Sequence, residues 1–273
     1  MRMDISFEAY LELPFLNSSK LNLFSGDKSL MQAKYLMDND VDRECFKFGR
    51  AFHKYVEKGL IDDIVKSPYD SFRTKEARSW KEEQESLGKS VFKEKDYTDL
   101  LNMLESLYRQ IGVVYGDKEI VYTSESGIER FKAMLDMVEE DNLMIRDWKT
   151  TIEVNPYKIF SKAYQFGYFL QAYHYMMVFA KNMECDIQEI DFEFIFVQKN
   201  APYEVIPVRV GPDALDIGKK QWDRAYERYL KAKSENVWPS YYQENGVIEL
   251  EAPEWAISEE DANINFEEEE NVD

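Results

Sequence analysis

The chain has 273 residues, 44% hydrophobic and 15% aromatic, which is the composition of a folded protein with a sizeable core. It contains no run of about 18 apolar residues and no signal-peptide pattern at its start, so we expect a soluble cytoplasmic protein with no membrane partner. Two cysteines, Cys45 and Cys185, are too few for a disulfide framework or an iron–sulfur cluster.

The formal charge of −19, from 34 basic and 53 acidic residues, argues against nucleic-acid binding, because basic surface normally drives contacts to the phosphate backbone. Net charge averages over the whole surface, however, whereas binding depends on a local groove. Part of the acidic excess is also segregated in a predicted tail, residues 256–273, which ends in FEEEENVD. The charge therefore does not exclude a nucleic-acid substrate.

The first 110 residues are predicted to be mainly helical. A helical pattern follows the cap-like pair Ser18–Ser19 and continues to about Met37. Further helices are predicted at about 46–60, 74–88 and 95–110. Since no Gly/Ser-rich linker follows, we expect this helical part to pack on the remainder within one domain of residues 1–255.

Residues 111–255 are predicted to form the sheet core and its flanking helices. The β-rich runs lie at 118–124, 127–140, 142–151, 191–198 and 203–210. Helices are predicted at about 164–181 and 213–233. Hairpins give antiparallel pairs and a crossover helix gives a parallel pair, so the pattern indicates an α/β fold with a mixed central β-sheet flanked by helices.

Three charged residues on two of these strands form the main candidate site. The strand period of two places Asp147 and Lys149 on one face, and Asp136 lies on the preceding strand across a hairpin tip, EEDN. Neighbouring carboxylates repel unless a divalent cation neutralises them, and oxygen ligands suit Mg²⁺ or Mn²⁺. Lys149 could then hold a water or stabilise charge on a phosphate. A solvated Asp–Lys pair on an edge strand explains the same residues comparably well.

The predicted 164–181 helix adds a second group of candidates. Gln171 and Tyr175 are four residues apart and share a face, which Tyr164 and Tyr168 extend. The tyrosines suit a core stripe, whereas the glutamine needs hydrogen-bond partners. His174 is expected to lie off this face.

These pieces occur in the order GxxxH, E, D, DxK, QxxxY, which resembles the RecB/RecE-like branch of the PD-(D/E)XK nucleases and, more narrowly, its phage-type exodeoxyribonucleases. The resemblance runs from about residue 18 to 255, and DWKTT followed by QAYHY is its most specific part. The other matching stretches are FGRAFHKYVE, RTKEARSWKEE, SESGIERFKAMLD and ENVWPSYY. It implies a restriction-endonuclease-like core.

The resemblance also implies residue roles. Lys149 would be the catalytic lysine, and Gln171 and Tyr175 would orient the metal cluster or contact the DNA strand. Lys132 keeps one positive charge of a more basic run found in related sequences, so a DNA contact is expected there. The implied metal ligands are His53, Asp136, Asp147, the Trp148 backbone carbonyl and, for a second metal, Glu125.

The implied activity is Mg²⁺- or Mn²⁺-dependent 5′→3′ degradation of linear double-stranded DNA from its ends in phage-type recombination. Such enzymes are often ring-shaped homo-oligomers that work with a single-strand annealing protein. Two other classes stay open: an endonuclease or structure-specific nuclease on the same core, and a non-catalytic protein that binds a partner or mimics DNA through its acidic surface.

Overall fold

The computed structural model describes residues 1–39, 45–58, 61–112, 115–126, 129–254 and 256–258, so most of the predicted acidic tail lies outside the described residues. The N-terminal part is largely helical. Its helices are α1 (Phe7–Glu12), α2 (Ser18–Asn22), α3 (Leu30–Asp38), α4 (Cys45–Lys58), α5 (Lys75–Ser86) and α6 (Glu94–Ile111). Between them lie two short strands that pair in parallel, β2 (Ile64–Lys66) and β3 (Ser90–Phe92).

The helix predicted from Ser18 to about Met37 is in fact two helices. The Asn17 side chain caps α2, and Ser29 begins α3 with a reciprocal capping box to Gln32. Between them Gly26 has a φ of 132°, a conformation that L side chains rarely adopt and that no helix contains. Gly26 therefore lies in the turn that separates α2, which ends at Asn22, from α3, and hydrophobic periodicity alone did not show this turn.

A six-stranded mixed sheet forms the centre of the structure, as the sequence predicted. The strand order is β1-β4-β5-β6-β7-β8, and the β6–β7 pair is parallel while the other neighbours are antiparallel. The first strand, β1 (Arg2–Met3), was not predicted and pairs with β4. The others are β4 (Asp117–Ser126), β5 (Glu129–Glu139), β6 (Met144–Thr151), β7 (Asp191–Gln198) and β8 (Val205–Arg209).

Two helices, not one, make the parallel crossover from β6 to β7. They are α7 (Pro156–Gln165) and α8 (Tyr168–Met183), followed later by α9 (Pro212–Glu235) and α10 (Tyr241–Asn245). Gly167, with a φ of 74°, separates α7 from α8. Tyr164 therefore belongs to α7 and is not part of the α8 stripe that was predicted to contain it.

Helices cover both faces of the sheet. On one face, α8 and α9 pack through Leu170, Phe179 and Trp222 against strand residues such as Phe131 and Ile145. On the opposite face, α4 and α6 enclose a second cluster that includes Phe52, Met103, Trp148, Ile195 and Val197. The mainly helical N-terminal part thus supplies one of the two helical layers. Among the described residues, no helix is both long and apolar enough to cross a membrane.

The packing of α9 on α8 depends on Gly218. A β-carbon at this position would lie 2.2 Å from the backbone oxygen of Phe169. We expect Gly218→Ala to destabilise the fold by about 1–3 kcal/mol, because the clash with backbone outweighs the better helix propensity of alanine. Urea unfolding followed by circular dichroism measures this change.

Gly49→Ala is the matched control, because Gly49 also lies within a helix but its added β-carbon would meet only Thr150 Oγ1 at 3.7 Å. This variant should be neutral or stabilised by up to ~1 kcal/mol. Equal effects of the two substitutions would contradict the close approach of α8 and α9.

Candidate active site

The site lies where β5 and β6 part. Their ladder ends at the pair Met137↔Arg146, so Asp136 and Asp147 occupy the next positions on the two strands. Released from this ladder, the Trp148 backbone N–H donates to Asp136 Oδ2 at 2.8 Å. The side chain of Asp136 thus satisfies a buried backbone donor that the neighbouring strand no longer reaches.

Asp147 is the most deeply buried acid of the site, with a side chain only 2% exposed. Its Oδ1 accepts a hydrogen bond of 2.9 Å from Gln171 Nε2, and its Oδ2 forms an ion pair with the Lys149 ammonium. Burial raises the pKa of Asp147 to about 6, although the charge of Lys149 acts in the opposite direction; nearby Asp136 raises it further. A proton is therefore held more tightly here than on an ordinary aspartate.

The pKa of Asp136 is shifted in the opposite direction from that of Asp147. Burial would raise its pKa, but the charge and hydrogen bond of His53, the charge of Lys149 and the Trp148 N–H together lower it. His53 reaches Asp136 from α4, with Nδ1 at 3.4 Å from Oδ2. The two carboxylates of the site thus differ in character: Asp136 stays ionised, and Asp147 is poised near neutral pH.

Lys149 is enclosed by aromatic rings as well as by the acids. Its ammonium lies 5.0 Å from the centre of the Tyr168 ring and 5.4 Å from that of Phe194, within the range of cation–π attraction. Burial would lower the pKa of Lys149, but the charges of Asp147 and Asp136 raise it above its usual value. Lys149 therefore stays protonated, its ammonium is held between the acids and the two rings, and it acts as a hydrogen-bond donor.

Helix α8 supplies Gln171 and Tyr175, as the sequence predicted from their spacing. Gln171 bonds directly to Asp147. Tyr175 lies one turn further along, and burial together with the charge of Asp147 raises its pKa well above the usual value, so the phenol stays protonated. His174, between them in sequence, is buried on another face, where it accepts from Trp222 Nε1 at 3.1 Å.

The structure places Glu125 away from the site. It lies on β4 opposite Arg130 and forms an ion pair with that residue at 2.8 Å. Six residues of β5 separate Arg130 from Asp136, about 20 Å along an extended strand. The expectation that Glu125 helps to hold a second metal is therefore corrected by the register of the sheet.

The expected DNA contact of Lys132 is also corrected. Its side chain is buried, and its ammonium donates to the backbone oxygens of Tyr10 at 2.6 Å and Leu13 at 2.8 Å. Burial lowers the pKa of Lys132 to about 8. This lysine anchors the end of α1 to β5 and has no surface to offer to a phosphate.

Sequence reasoning missed Phe194, and it placed Tyr168 on the face of Gln171 and Tyr175 without relating it to Lys149. Phe194 stands beside Asp147 in the parallel β6–β7 register, and Tyr168 begins α8 directly after the Gly167 break. The aromatic run DFEFIFVQ was a visible signal, but only the register of β7 on β6 shows that Phe194 faces the lysine.

The donor set suits a hard divalent cation. Two neighbouring carboxylates are the protein ligands that Mg²⁺ commonly takes, with water and phosphate oxygens completing its octahedron. Asp147 Oδ2 is buried, and within the described part of the chain its charge is met by the Lys149 ammonium. Within that same part of the chain, no group of three or more His, Cys, Asp or Glu side chains is arranged to hold a metal ion. Any cation would therefore depend first on Asp136 and Asp147, with its remaining ligands supplied by other groups.

The comparisons with known proteins identify the family and the fold of the chain. A family model described as a PDDEXK-like domain of unknown function (DUF3799) matches residues 18–250. The crystal structure of a candidate exonuclease from Eubacterium rectale is 14% identical, with a TM-score of 0.63, and the alignment covers 94% of this chain and 98% of that one. At this identity the likeness shows a shared fold.

A phage-related exonuclease from Haemophilus somnus 129PT is 15% identical over 84% of this chain and 99% of its own, with a TM-score of 0.37. That likeness is too weak to support an argument. None of the curated proteins compared with the chain matches its sequence.

The opposite character of the two acids predicts opposite effects on stability. With its raised pKa, Asp147 stabilises the fold below the ordinary aspartate pKa, and this contribution is lost as the pH rises through about 6. With its lowered pKa, Asp136 contributes stability above the ordinary aspartate pKa, which is lost as the pH falls through its folded value. In EDTA at pH 8, Asp147→Asn should therefore stabilise the protein by ~1–3 kcal/mol, whereas Asp136→Asn should destabilise it.

Urea unfolding of both variants and the parent protein at pH 5 and pH 8 measures these changes. The stabilisation by Asp147→Asn should shrink at pH 5, where the parent carboxyl is largely protonated. A loss of stability in both variants at pH 8 would contradict the assignment of the two carboxyl groups.

Proposed function

Because this chain belongs to the PDDEXK-like DUF3799 family, we propose that it is a divalent-metal-dependent deoxyribonuclease. The observation that carries the proposal is the group formed by Asp136, Asp147 and Lys149. Two acids and one cation lie together, largely buried, where two strands part, and three different elements, α4, β6 and α8, supply their partners. The alternative interpretation, a solvated Asp–Lys pair on an edge strand, would have neither this burial nor these partners.

In the proposed site the carboxylates of Asp136 and Asp147 hold Mg²⁺ or Mn²⁺. The Trp148 backbone carbonyl and His53 are further candidate ligands, and His53 already lies against Asp136. When bound, the cation supplies charge neutralisation at the phosphate and polarises water for attack. Gln171 fixes the orientation of the Asp147 carboxylate through its amide N–H.

Lys149 is proposed to stabilise the negative charge that grows on the phosphate oxygens during hydrolysis. Its raised pKa keeps it protonated at neutral pH, so it serves as a donor and not as the base. The rings of Tyr168 and Phe194 limit the movement of the ammonium, which keeps it aimed at one place. Hydrolysis then forms a phosphorus–oxygen bond to the attacking water and breaks the phosphorus–oxygen bond to the departing oxygen. The attacking water gives up one proton to solvent, and the departing oxygen takes one from solvent.

The finer assignment is a 5′→3′ exonuclease on linear double-stranded DNA, acting in phage-type recombination. It rests on the resemblance carried by DWKTT and QAYHY. A homo-oligomer, a single-strand annealing partner and a location in the cytoplasm of a bacterial host belong to the same proposal.

A non-catalytic binder is the second candidate, because a charge of −19 is suited to imitating DNA. The buried Lys149 argues for the enzyme, since a surface that imitates DNA does not require an enclosed cation beside two acids. Calorimetric titration with Mn²⁺ separates the two candidates. Binding by the parent protein that Asp136→Asn abolishes supports the nuclease, and the absence of binding supports the binder.

Lys149→Ala should lower Mg²⁺-dependent digestion of linear duplex DNA by at least about 100-fold, because it removes a preorganised charge at the reacting phosphate. Release of acid-soluble nucleotides measures the rate. The matched control is Lys219→Ala, which removes an exposed lysine paired with Asp223 on α9 and should change the rate less than twofold. Undiminished digestion by folded Lys149→Ala would overturn the assignment.

The preference for ends is tested with an end-labelled linear duplex and a covalently closed circle of the same sequence, each with Mg²⁺ and with EDTA. An exonuclease degrades the linear DNA and leaves the circle intact. Rapid cutting of the circle would keep the nuclease proposal but replace the exonuclease with an endonuclease.

A further inference from the structure

Helix α7 presents a row of aromatic rings to solvent. Tyr157 is 84% exposed, Tyr164 53% and Phe160 50%, and their spacing of three and four residues places them on one side of the helix. Phe166, just after the helix, is 59% exposed. We call these four residues the aromatic face. Exposed apolar clusters of this kind mark binding surfaces more often than chance exposure of single rings.

The aromatic face is continuous with the candidate active site. The Phe166 ring lies 5.9 Å from the Tyr168 ring, and the Tyr168 ring lies 5.0 Å from the Lys149 ammonium. A single partly buried ring, that of Tyr168, therefore lies between the aromatic face and the lysine. Anything bound along α7 would extend directly into the proposed catalytic group.

The charge of this segment differs from that of the rest of the chain. Residues 154–183 contain no Asp or Glu, although the whole chain has 53 in 273 residues. The same segment contains Lys158 and Lys162 on α7, interleaved with the aromatic residues. Glu153, at the edge of this segment, pairs with Lys158 at 2.8 Å, so its charge is offset there. In an acidic protein, this is a surface where a phosphate backbone meets less repulsion than elsewhere.

We propose that the aromatic face is a stacking platform for unpaired bases of the DNA strand whose backbone enters the active site. This inference rests on the proposed nuclease function and names the form of its substrate. Bases in a duplex already stack on one another, so only unpaired bases offer their faces to protein rings. Lys158 and Lys162 stand beside the rings, where the phosphates of such a strand would lie. The bound DNA therefore has a single-stranded stretch next to the bond that is cleaved.

The test is the binding of a fluorescein-labelled 20-nucleotide oligo(dT) to the full chain in EDTA, followed by fluorescence anisotropy. Tyr157→Ala/Phe160→Ala should weaken binding about 30-fold or more, because it removes two base–ring stacks and each is worth ~1–3 kcal/mol. Its dependence on salt should stay the same, since the lysines are retained. Tyr157→Phe, which keeps the ring, should bind like the parent protein.

The matched control is Met31→Ala/Tyr35→Ala, which removes two exposed apolar side chains from α3. It should bind oligo(dT) within twofold of the parent. Unchanged oligo(dT) binding by Tyr157→Ala/Phe160→Ala would overturn the proposal. So would an equal loss of affinity for blunt duplex, which would mean that the rings contact something other than unpaired bases.

Sedimentation velocity of the same variants tests whether another protein surface covers the rings. A smaller assembly for Tyr157→Ala/Phe160→Ala than for the parent would make the face an interface between copies of the chain and would overturn the proposal. The anisotropy assay involves no hydrolysis, so its failure differs from that of the nuclease proposal. If Lys149→Ala loses digestion while Tyr157→Ala/Phe160→Ala binds oligo(dT) normally, the nuclease proposal is supported and only the proposal of a stacking platform is overturned.

Discussion

The buried carboxyl group of Asp147 imposes the main constraint on this structure. A charge removed from water costs several kcal/mol unless donors and opposite charges replace the lost solvation. Here the replacements are the Gln171 amide from α8 and the Lys149 ammonium from the same strand, while Asp136 nearby makes the cost larger. Asp136 in turn depends on His53 from α4. The two helical layers and the separating strands β5 and β6 thus meet at a carboxylate whose burial costs free energy. Such groups are typical of functional sites.

A second buried charge, that of Lys132, is stabilised in another way and has a different consequence. Its partners are backbone oxygens at the end of α1, and they hold the N-terminal segment against β5 only four residues from Asp136. The neutral His174 ring, whose pKa burial lowers to about 4, bonds to the backbone oxygen of the same lysine and to Trp222 on α9. Strand β5 is therefore supported on either side of Lys132 before it reaches the site. Its acid needs such support because small displacements weaken catalysis.

The strongly acidic composition and the proposed DNA substrate are compatible because charge is unevenly distributed along the chain. The aromatic face and its lysines lie in a 30-residue stretch, residues 154–183, that carries no acidic residue and borders the active site. Binding through ring stacking also needs less positive charge than binding through phosphates alone.

The sequence by itself indicated the mixed sheet, its five longer strands and the placement of Asp136 beside Asp147 and Lys149, because alternation with a period of two and a hairpin tip are local patterns. It also indicated Gln171 and Tyr175, whose helical spacing is local too. The roles it predicted for Glu125 and Lys132 were wrong, because those roles depend on distances to residues on other strands and helices, which the sequence does not provide. Only the tertiary structure decided that Glu125 pairs with Arg130, about 20 Å along the sheet from Asp136. It also decided that Lys132 is buried and bonded to backbone oxygens, and that the rings of Tyr168 and Phe194 enclose Lys149. The physical reason is that strand register and helix docking bring together residues that no local period connects.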